Sequence, residues 1–105
     1  MPYAVFTTLH EPDAARHLAH AAVEAGLAAC VHIQEITSVI RWDGAVQEEP
    51  EYRLLFKTSH ASYDALAALI VRDHPYDEPA LWAAEMVKGS DSFFGWIDAS
   101  TASEA

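Results

Sequence analysis

The sequence has little cysteine and little positive charge, and both shortages narrow the classes of protein to which the chain can belong. Cys30 is the single cysteine among 105 residues, so no disulfide can form within the chain and no paired-cysteine metal motif exists. Six lysine and arginine residues stand against sixteen aspartate and glutamate residues, a formal net charge of −10. Nucleic acids and anionic membranes are bound by clustered basic side chains, so we expect neither as a partner.

Long apolar runs are also missing from the sequence. No run approaches the roughly 20 residues that a membrane-spanning helix needs. The opening residues Met-Pro-Tyr-Ala lack the basic region with which a signal peptide begins, so we predict a cytoplasmic location. The length fits one domain over residues 1–105, and 51% hydrophobic residues allow a small, marginal core that oligomerisation would help to stabilise.

Residues 30–58 predict two long strands joined by a tight turn at Asp43-Gly44. A type I′ turn needs positive φ at both central residues, and aspartate and glycine tolerate it. Each arm has about 14 residues and therefore extends roughly 45 Å, whereas a domain of this size has a radius of gyration of about 13 Å. Part of the hairpin should project and expose apolar side chains, among them Ile36, Val39, Ile40 and Trp42. Neighbouring copies in a symmetric oligomer would cover such strands.

The segment before the hairpin predicts a strand followed by a helix. Residues 3–9 are apolar and β-prone, which is typical of a short buried strand. The helix is predicted between Pro12 and Gly26, because proline suits the first helical turn and glycine the stop. Its apolar stripe, at the spacing of one helix face, comprises Ala15, Leu18, Ala19, Ala22 and Val23.

The segment after the hairpin predicts a second helix with Ser59 as its cap. Pro75 ends this helix at about Asp73, because the residue before a proline avoids the α region. Its core face is predicted to comprise Tyr63, Leu66, Ala67 and Ile70.

Two further elements complete the predicted order. Residues 81–87 indicate a fourth strand, and Ser90 or Asp91 can cap a short final helix. The order β, α, β, β, α, β predicts an α+β, ferredoxin-like fold, with one four-stranded antiparallel sheet and both main helices on one face.

Short motifs along nearly the whole chain are shared with a known family. They are Thr7-Thr8, Leu-Ala-Ala-Cys-Val at residues 27–31, Trp42-Asp43-Gly44, Glu51, Phe56-Lys57-Thr58, His74-Pro75-Tyr76, Pro79 and Trp96-Ile97. In this order and at these separations, over residues 3–98, the chain resembles the CutA divalent-cation tolerance family. The resemblance implies a ferredoxin-like fold, a tightly packed homotrimer similar in architecture to the PII signalling proteins, and a role in tolerance of copper or other divalent metals.

The chain departs from the family pattern at several positions. His10 stands where the family tends to have proline, His32 where asparagine is common and Ile40 where an aromatic residue is usual. Metal ligands proposed for the family include a thiol in the first strand and paired histidines before the Pro-Tyr motif. Those positions are Thr7 and Asp73 here, which weakens the copper site that the resemblance implies.

Three residues are candidate ligands for a divalent metal such as Cu²⁺. His74 opens a proline-rich turn with Asp77 and Glu78, and imidazole and carboxylate groups bind copper, nickel and zinc. The alternative is that His74 only fixes the turn by a hydrogen bond. Cys30 and His32 are two residues apart on a strand and share one face, which allows a metal pair, although Cys30 is otherwise a small core residue. A solvated helix face is expected for His17, His20 and Glu24.

A second set of residues predicts a small ligand pocket between subunits. Its aromatic walls and polar anchors would be Trp42, Tyr76, Trp96, Glu51, Lys57 and His74. The alternative is a structural salt bridge of Lys57 together with core aromatics at subunit contacts.

The sequence also lacks the motifs of common enzyme classes. It has no glycine-rich phosphate loop, no nucleophile-elbow motif and no dense cluster of metal ligands, so we predict that the protein is not an enzyme. The interpretation we favour is a homotrimer in divalent metal tolerance or response that binds a metal or small ligand. Two alternatives are a PII-like sensor of a small anionic metabolite and a trimer that only docks partners.

Overall fold

The computed structural model describes residues 1–101 and contains four strands and three helices. They follow the order β1 (Tyr3–Leu9), α1 (Pro12–Glu24), β2 (Cys30–Trp42), β3 (Ala45–Thr58), α2 (Tyr63–Asp73), β4 (Leu81–Glu85) and α3 (Asp91–Ser100). The strands form one antiparallel sheet in the order β2-β3-β1-β4. The predicted α+β, ferredoxin-like fold is therefore confirmed.

The core lies between one face of the sheet and the two long helices. Alternate residues of a strand point to the same face, and Val5, Leu9, Leu54 and Phe56 of the two central strands are all 0% exposed. They form one cluster with helix residues that include Ala15, Leu18, Ala22, Leu66 and Ile70. Burial of these apolar stripes fixes both helices on the same side of the sheet.

The opposite face of the sheet, here called the free face, also carries large apolar side chains. Phe6 is in register with Leu55 of β3 and with Trp82 of β4, so the three side chains share this face. The rings of Phe6 and Trp82 stack with their centroids 5.1 Å apart. Trp82 is nevertheless 44% exposed, which leaves apolar surface that another chain can cover.

The hairpin has the turn and the length that the sequence predicts. Asp43 and Gly44 have φ values of 52° and 79°, the positive pair that a type I′ turn requires. The arms contain 13 and 14 residues. The longest dimension of the molecule is 44 Å against a radius of gyration of 14.4 Å. The tip exposes apolar side chains, with Val39, Trp42 and Val46 each about two-thirds accessible to solvent.

Replacing Gly44 with alanine is expected to lower the free energy of unfolding by about 1–2 kcal/mol, the usual cost of holding an L-residue with a side chain at positive φ. A Cβ atom at this position would meet nothing within 4 Å, so the effect would come from the backbone alone. Urea denaturation measures it. Asp43→Asn is the matched control, because asparagine tolerates the same backbone conformation. Equal stability of Gly44→Ala and the wild type would contradict this account.

Three details of the predicted helices were wrong. Val23 is 44% exposed, because the eighth position after Ala15 lies about 80° round the helix at 3.6 residues per turn. Ser59 does not cap α2. The N-cap is Ser62, whose backbone N–H donates to the Ser59 hydroxyl at 3.3 Å in the preceding turn. Leu69, which the predicted core face omitted, is 7% exposed.

The last part of the chain agrees with the prediction at the cap and differs at the strand. Ser90 caps α3, since its hydroxyl accepts a hydrogen bond from the Phe93 backbone N–H at 3.3 Å. β4 ends at Glu85 instead of residue 87. Its neighbour β1 begins at Tyr3, which pairs with Glu85. The Met86 N–H still donates to the Pro2 carbonyl at 2.8 Å, but Pro2 has no N–H to return a bond, so regular pairing stops there.

Candidate functional site

An open cleft of about 710 Å³ lies beside the projecting hairpin. Its walls come from the hairpin, from the residue after β1 and from the loop before β4. The lining residues are His10, Ile40, Trp42, Glu49, Glu51, Tyr76, Asp77 and Glu78. Four of them are carboxylates and none is lysine or arginine, so we call this feature the acidic cleft. The negative electrostatic potential of these carboxylates favours a cation over an anion.

Tyr76 joins the separate chain segments around the acidic cleft. Its hydroxyl donates to Glu51 Oε2 at 3.0 Å, and the Ser38 hydroxyl donates to Glu51 Oε1 at 2.7 Å. On one side of the Tyr76 ring the His10 ring stacks at a centroid distance of 5.2 Å. The His74 ring meets it edge-on at 4.8 Å. The two imidazoles and the carboxylate hold the phenol in one orientation.

The environment of Tyr76 keeps its hydroxyl protonated. Burial, followed by the hydrogen bond to Glu51 and the negative charge of that carboxylate, raises the pKa of Tyr76 to about 12. A phenolate beside Glu51 would be repelled. Tyr76 is therefore a hydrogen-bond donor at neutral pH, and its single proton belongs to the bond with Glu51.

His74 is buried in the turn between α2 and β4, and both ring nitrogens are engaged. Nε2 lies 3.0 Å from the carbonyl oxygen of Thr8, and Nδ1 accepts the backbone N–H of Tyr76 at 3.0 Å. A carbonyl oxygen only accepts, so Nε2 carries the proton of a neutral ring. Burial lowers the pKa of His74, against smaller opposing effects of the bond to Thr8 and the charge of Glu51. These bonds match the turn-fixing alternative.

That His74 binds a metal stays a prediction, and binding would break a hydrogen bond of the turn. A metal would need the Nδ1 lone pair, which the Tyr76 N–H occupies, so the turn would have to give up that hydrogen bond.

Cys30 and His32 share one face of β2 as the spacing predicts, but a lysine lies beside them. Lys57 is in register with Cys30, and its Nζ lies 3.5 Å from His32 Nε2. The positive charge of the ammonium group opposes a metal cation at this pair. Cys30 is also distant from His74 within one chain. Register places Cys30 level with Ala4 and His74 beside Thr8, four residues along β1, or about 13 Å.

Five of the six predicted pocket residues divide into two groups, whereas the sixth, His74, contacts Tyr76 but does not line the acidic cleft. Trp42, Glu51 and Tyr76 line the acidic cleft. Lys57 lies towards the other end of β3, where its Nζ is 5.3 Å from the centroid of the Phe93 ring. Trp96 of α3 stacks on the same phenylalanine with ring centroids 6.1 Å apart. Phe93 is thus the centre of a second aromatic group, in which Lys57 makes a cation–π contact.

The sequence did not identify His10 and Glu49 as site residues. His10 is marked only as a departure from the family pattern, and the ring that it contacts belongs to a residue 66 positions away. Spacing along the chain gives no signal for such a pair, because the contact exists only once β1 and the loop before β4 are neighbours.

The described residues contain neither a preformed metal-ligand group nor a helix that could span a membrane. Within residues 1–101, no three His, Cys, Asp or Glu side chains are already gathered around a common point that could hold a metal ion. The donors of the acidic cleft are nevertheless the carboxylate and imidazole groups that divalent transition metals accept. Over the same residues, no helix is long and apolar enough to cross a membrane.

Three known proteins show what the chain is similar to. The divalent-cation tolerance protein CutA of Thermus thermophilus is 35% identical over 102 residues, covering 96% of this chain and 99% of that protein. The structure of CutA from Synechococcus elongatus superposes with a TM-score of 0.92 at 38% identity, covering 96% and 90% of the two chains. The periplasmic divalent cation tolerance protein CutA from Archaeoglobus fulgidus has a TM-score of 0.91 at 27% identity, covering 96% and 99%.

Some of the similar proteins are longer than the chain, and they are named for different cellular locations. The chain spans 54% of the length of a chloroplast relative that it matches at 36% identity. Because one similar structure is of a periplasmic protein, the cytoplasmic location of this chain stays a prediction.

A family model confirms the resemblance that the motifs indicate. The model of the CutA1 divalent ion tolerance protein matches residues 3–100, which is nearly the whole chain. The match covers the hairpin, both main helices and the residues of the acidic cleft. The chain belongs to the CutA1 divalent ion tolerance family.

Proposed function

We propose that this protein is a homotrimer that contributes to tolerance of divalent metals, copper among them, by binding the ion in the acidic cleft without catalysing a reaction. The observation that carries the proposal is the lining of the cleft, which has four carboxylates and no lysine or arginine. Carboxylate and imidazole groups are ligands for divalent cations. Membership of the divalent ion tolerance family supports the same role.

The homotrimer is supported by two apolar surfaces of the single chain. The hairpin tip exposes Trp42 at 67% and Val39 at 66%. The free face exposes Trp82 at 44%. Large exposed apolar patches mark association surfaces, and closed symmetric assembly covers the same patch on each copy. A neighbouring copy at the hairpin would also border the acidic cleft, because Trp42 belongs to both.

The geometry disfavours a sensor of anionic metabolites at this cleft. Such a site needs basic side chains, and none of the four candidates in the sequence, Arg41, Arg53, Lys57 and Lys88, lines the cleft. Arg53 donates to the amide oxygen of Gln34 from both Nε and Nη2, and Lys57 lies over the Phe93 ring. The cleft therefore favours a cation.

Titration calorimetry of the full chain with copper, zinc and a set of nucleotides tests the proposed function. We expect heat from the divalent metals and none from the nucleotides. Replacing Glu49 and Glu78 with glutamine should weaken metal binding by about tenfold or more, which corresponds to about 1.4 kcal/mol. Glu24→Gln on the outer face of α1 is the matched control and should leave the affinity unchanged. Absence of heat from every metal would overturn the proposal and leave a docking trimer.

A further inference from the structure

We propose that His10, through its Nε2 atom, is the imidazole ligand for a divalent transition metal ion in the acidic cleft, and that Tyr76 and Glu51 position its ring. This inference rests on the proposed function and deepens it by naming the ligand. Three features of the structure carry it: the direction of the hydrogen bonds, the rigid support of the ring and the carboxylates that share the cleft.

The hydrogen bonds fix which nitrogen of His10 carries the proton. His10 Nδ1 lies 2.7 Å from the Tyr76 hydroxyl oxygen, and that hydroxyl lies 3.0 Å from Glu51 Oε2. An ionised carboxylate has no proton to donate, so the single phenolic proton belongs to the bond with Glu51. The Tyr76 oxygen must then accept from His10, and Nδ1 is the donor. In the neutral ring this leaves the lone pair on Nε2.

This arrangement is the support that metal-binding histidines usually have. A ligating imidazole commonly donates its other N–H to an oxygen, which sets the tautomer, orients the ring and raises its basicity. Here the chain of bonds ends on a carboxylate, and the Ser38 hydroxyl holds the second oxygen of that carboxylate at 2.7 Å. The His10 ring also stacks on Tyr76 at an interplanar angle of 21°. One hydrogen bond and a stacking contact therefore hold an otherwise exposed ring, and Glu51 holds the tyrosine to which the ring is bonded.

The remaining ligands are available in the same cleft. Glu49, Asp77 and Glu78 line it together with His10. No preformed group of three ligands exists within residues 1–101. His10 is therefore the fixed donor in this proposal, and the bound ion draws the carboxylate side chains of the cleft towards it. One imidazole with carboxylates suits Cu²⁺ or Zn²⁺ better than Mg²⁺ or Ca²⁺, which prefer oxygen ligands alone.

The other five histidines of the described chain are less suited to this role. The ring of His60 packs against Tyr3 with centroids 5.5 Å apart and does not line the acidic cleft. Both nitrogens of His74 are bonded within the fold. His32 faces the ammonium group of Lys57. His17 and His20 lie on the outer face of α1 beside Asp73 and Glu24, at 3.8 and 3.9 Å. Of these histidines, His10 alone lines the acidic cleft.

The test is a copper titration of the full chain with His10→Asn as the main variant. The asparagine amide can still donate to the Tyr76 hydroxyl from a position close to Nδ1, but it lacks the Nε2 ligand. We expect the affinity for Cu²⁺ to fall at least tenfold, while the urea unfolding midpoint stays close to that of the wild type. Tyr76→Phe removes the support of the ring and should weaken binding by a smaller factor. His17→Ala with His20→Ala is the control and should bind as the wild type does.

A second readout separates ligation from an indirect effect. In ¹⁵N-edited spectra of the zinc-loaded protein, the Nε2 resonance of His10 should shift on loading and that of His74 should not. Equal copper affinity of the wild type and His10→Asn would overturn this assignment while the proposed function survives. A wild type that binds no divalent metal would overturn both.

Discussion

Exchanging Trp42 and Ile40 together for aspartate is expected to dissociate the proposed trimer into monomers or to unfold the protein. Trp42 is 67% exposed in the single chain, so the change removes little from the core of one copy. In the assembly the same residues would be covered, and a buried carboxylate without a partner costs several kcal/mol. Sedimentation velocity at micromolar concentration measures the change.

A matched control separates loss of assembly from a general effect of added charge. Val71 is another exposed apolar residue, 53% accessible on the outer side of α2. Val71→Asp should leave the sedimentation coefficient unchanged. A wild type that sediments as a stable folded monomer would contradict the trimer proposal, and so would a Trp42 and Ile40 double variant that sediments as the wild type does.

Replacing His74 with alanine is expected to lower the free energy of unfolding at neutral pH by about 2–4 kcal/mol. The change leaves the Thr8 carbonyl and the Tyr76 backbone N–H without their partner, and each unsatisfied buried group costs about 1–3 kcal/mol. His20→Ala on the solvated face of α1 is the control and should be close to neutral. Urea denaturation gives both values. A His74→Ala protein as stable as the wild type would show that other contacts hold the turn.

The same ring makes stability depend on pH. Burial lowers the pKa of His74, so the folded chain keeps the ring neutral, whereas the unfolded chain protonates it at the ordinary value of about 6.5. The contribution of His74 is complete above about pH 6.5 and is lost as the pH falls through the pKa of the folded state. Between about pH 7.5 and about pH 5, the wild type should therefore lose stability more steeply than His74→Ala. Parallel pH profiles of the two proteins would contradict this.

Local patterns explain which parts of the fold the sequence predicts well. The turn at Asp43-Gly44, the proline that begins α1 and the cap at Ser90 each depend on a few adjacent residues, and all three agree with the structure. The misplaced features depend on neighbours. Val23 lies at the edge of the apolar stripe of α1, and the way the helix is rotated over the sheet leaves it exposed. β4 is short because its neighbour β1 begins at Tyr3.

The sequence predicted the candidate site only in part. The sequence indicated Trp42, Glu51 and Tyr76, and these three do line one cleft. It also grouped Lys57 and Trp96 with them, but these lie with Phe93. Composition suggested which side chains are suited to a ligand site, whereas the distance along β3 decided which of them meet.

By itself, the sequence determined the elements, their order, the projecting hairpin and the family, because alternation, helical period and turn chemistry act over a few residues. The tertiary structure decided the chemistry of the acidic cleft. His10 and Tyr76 are 66 positions apart, and Tyr76 and Glu51 are 25 apart. The direction of their hydrogen bonds is set only after the strands and the loop have packed, because the position of each proton depends on all the groups around it. The nitrogen of His10 that is free to bind a metal is therefore decided by the tertiary structure.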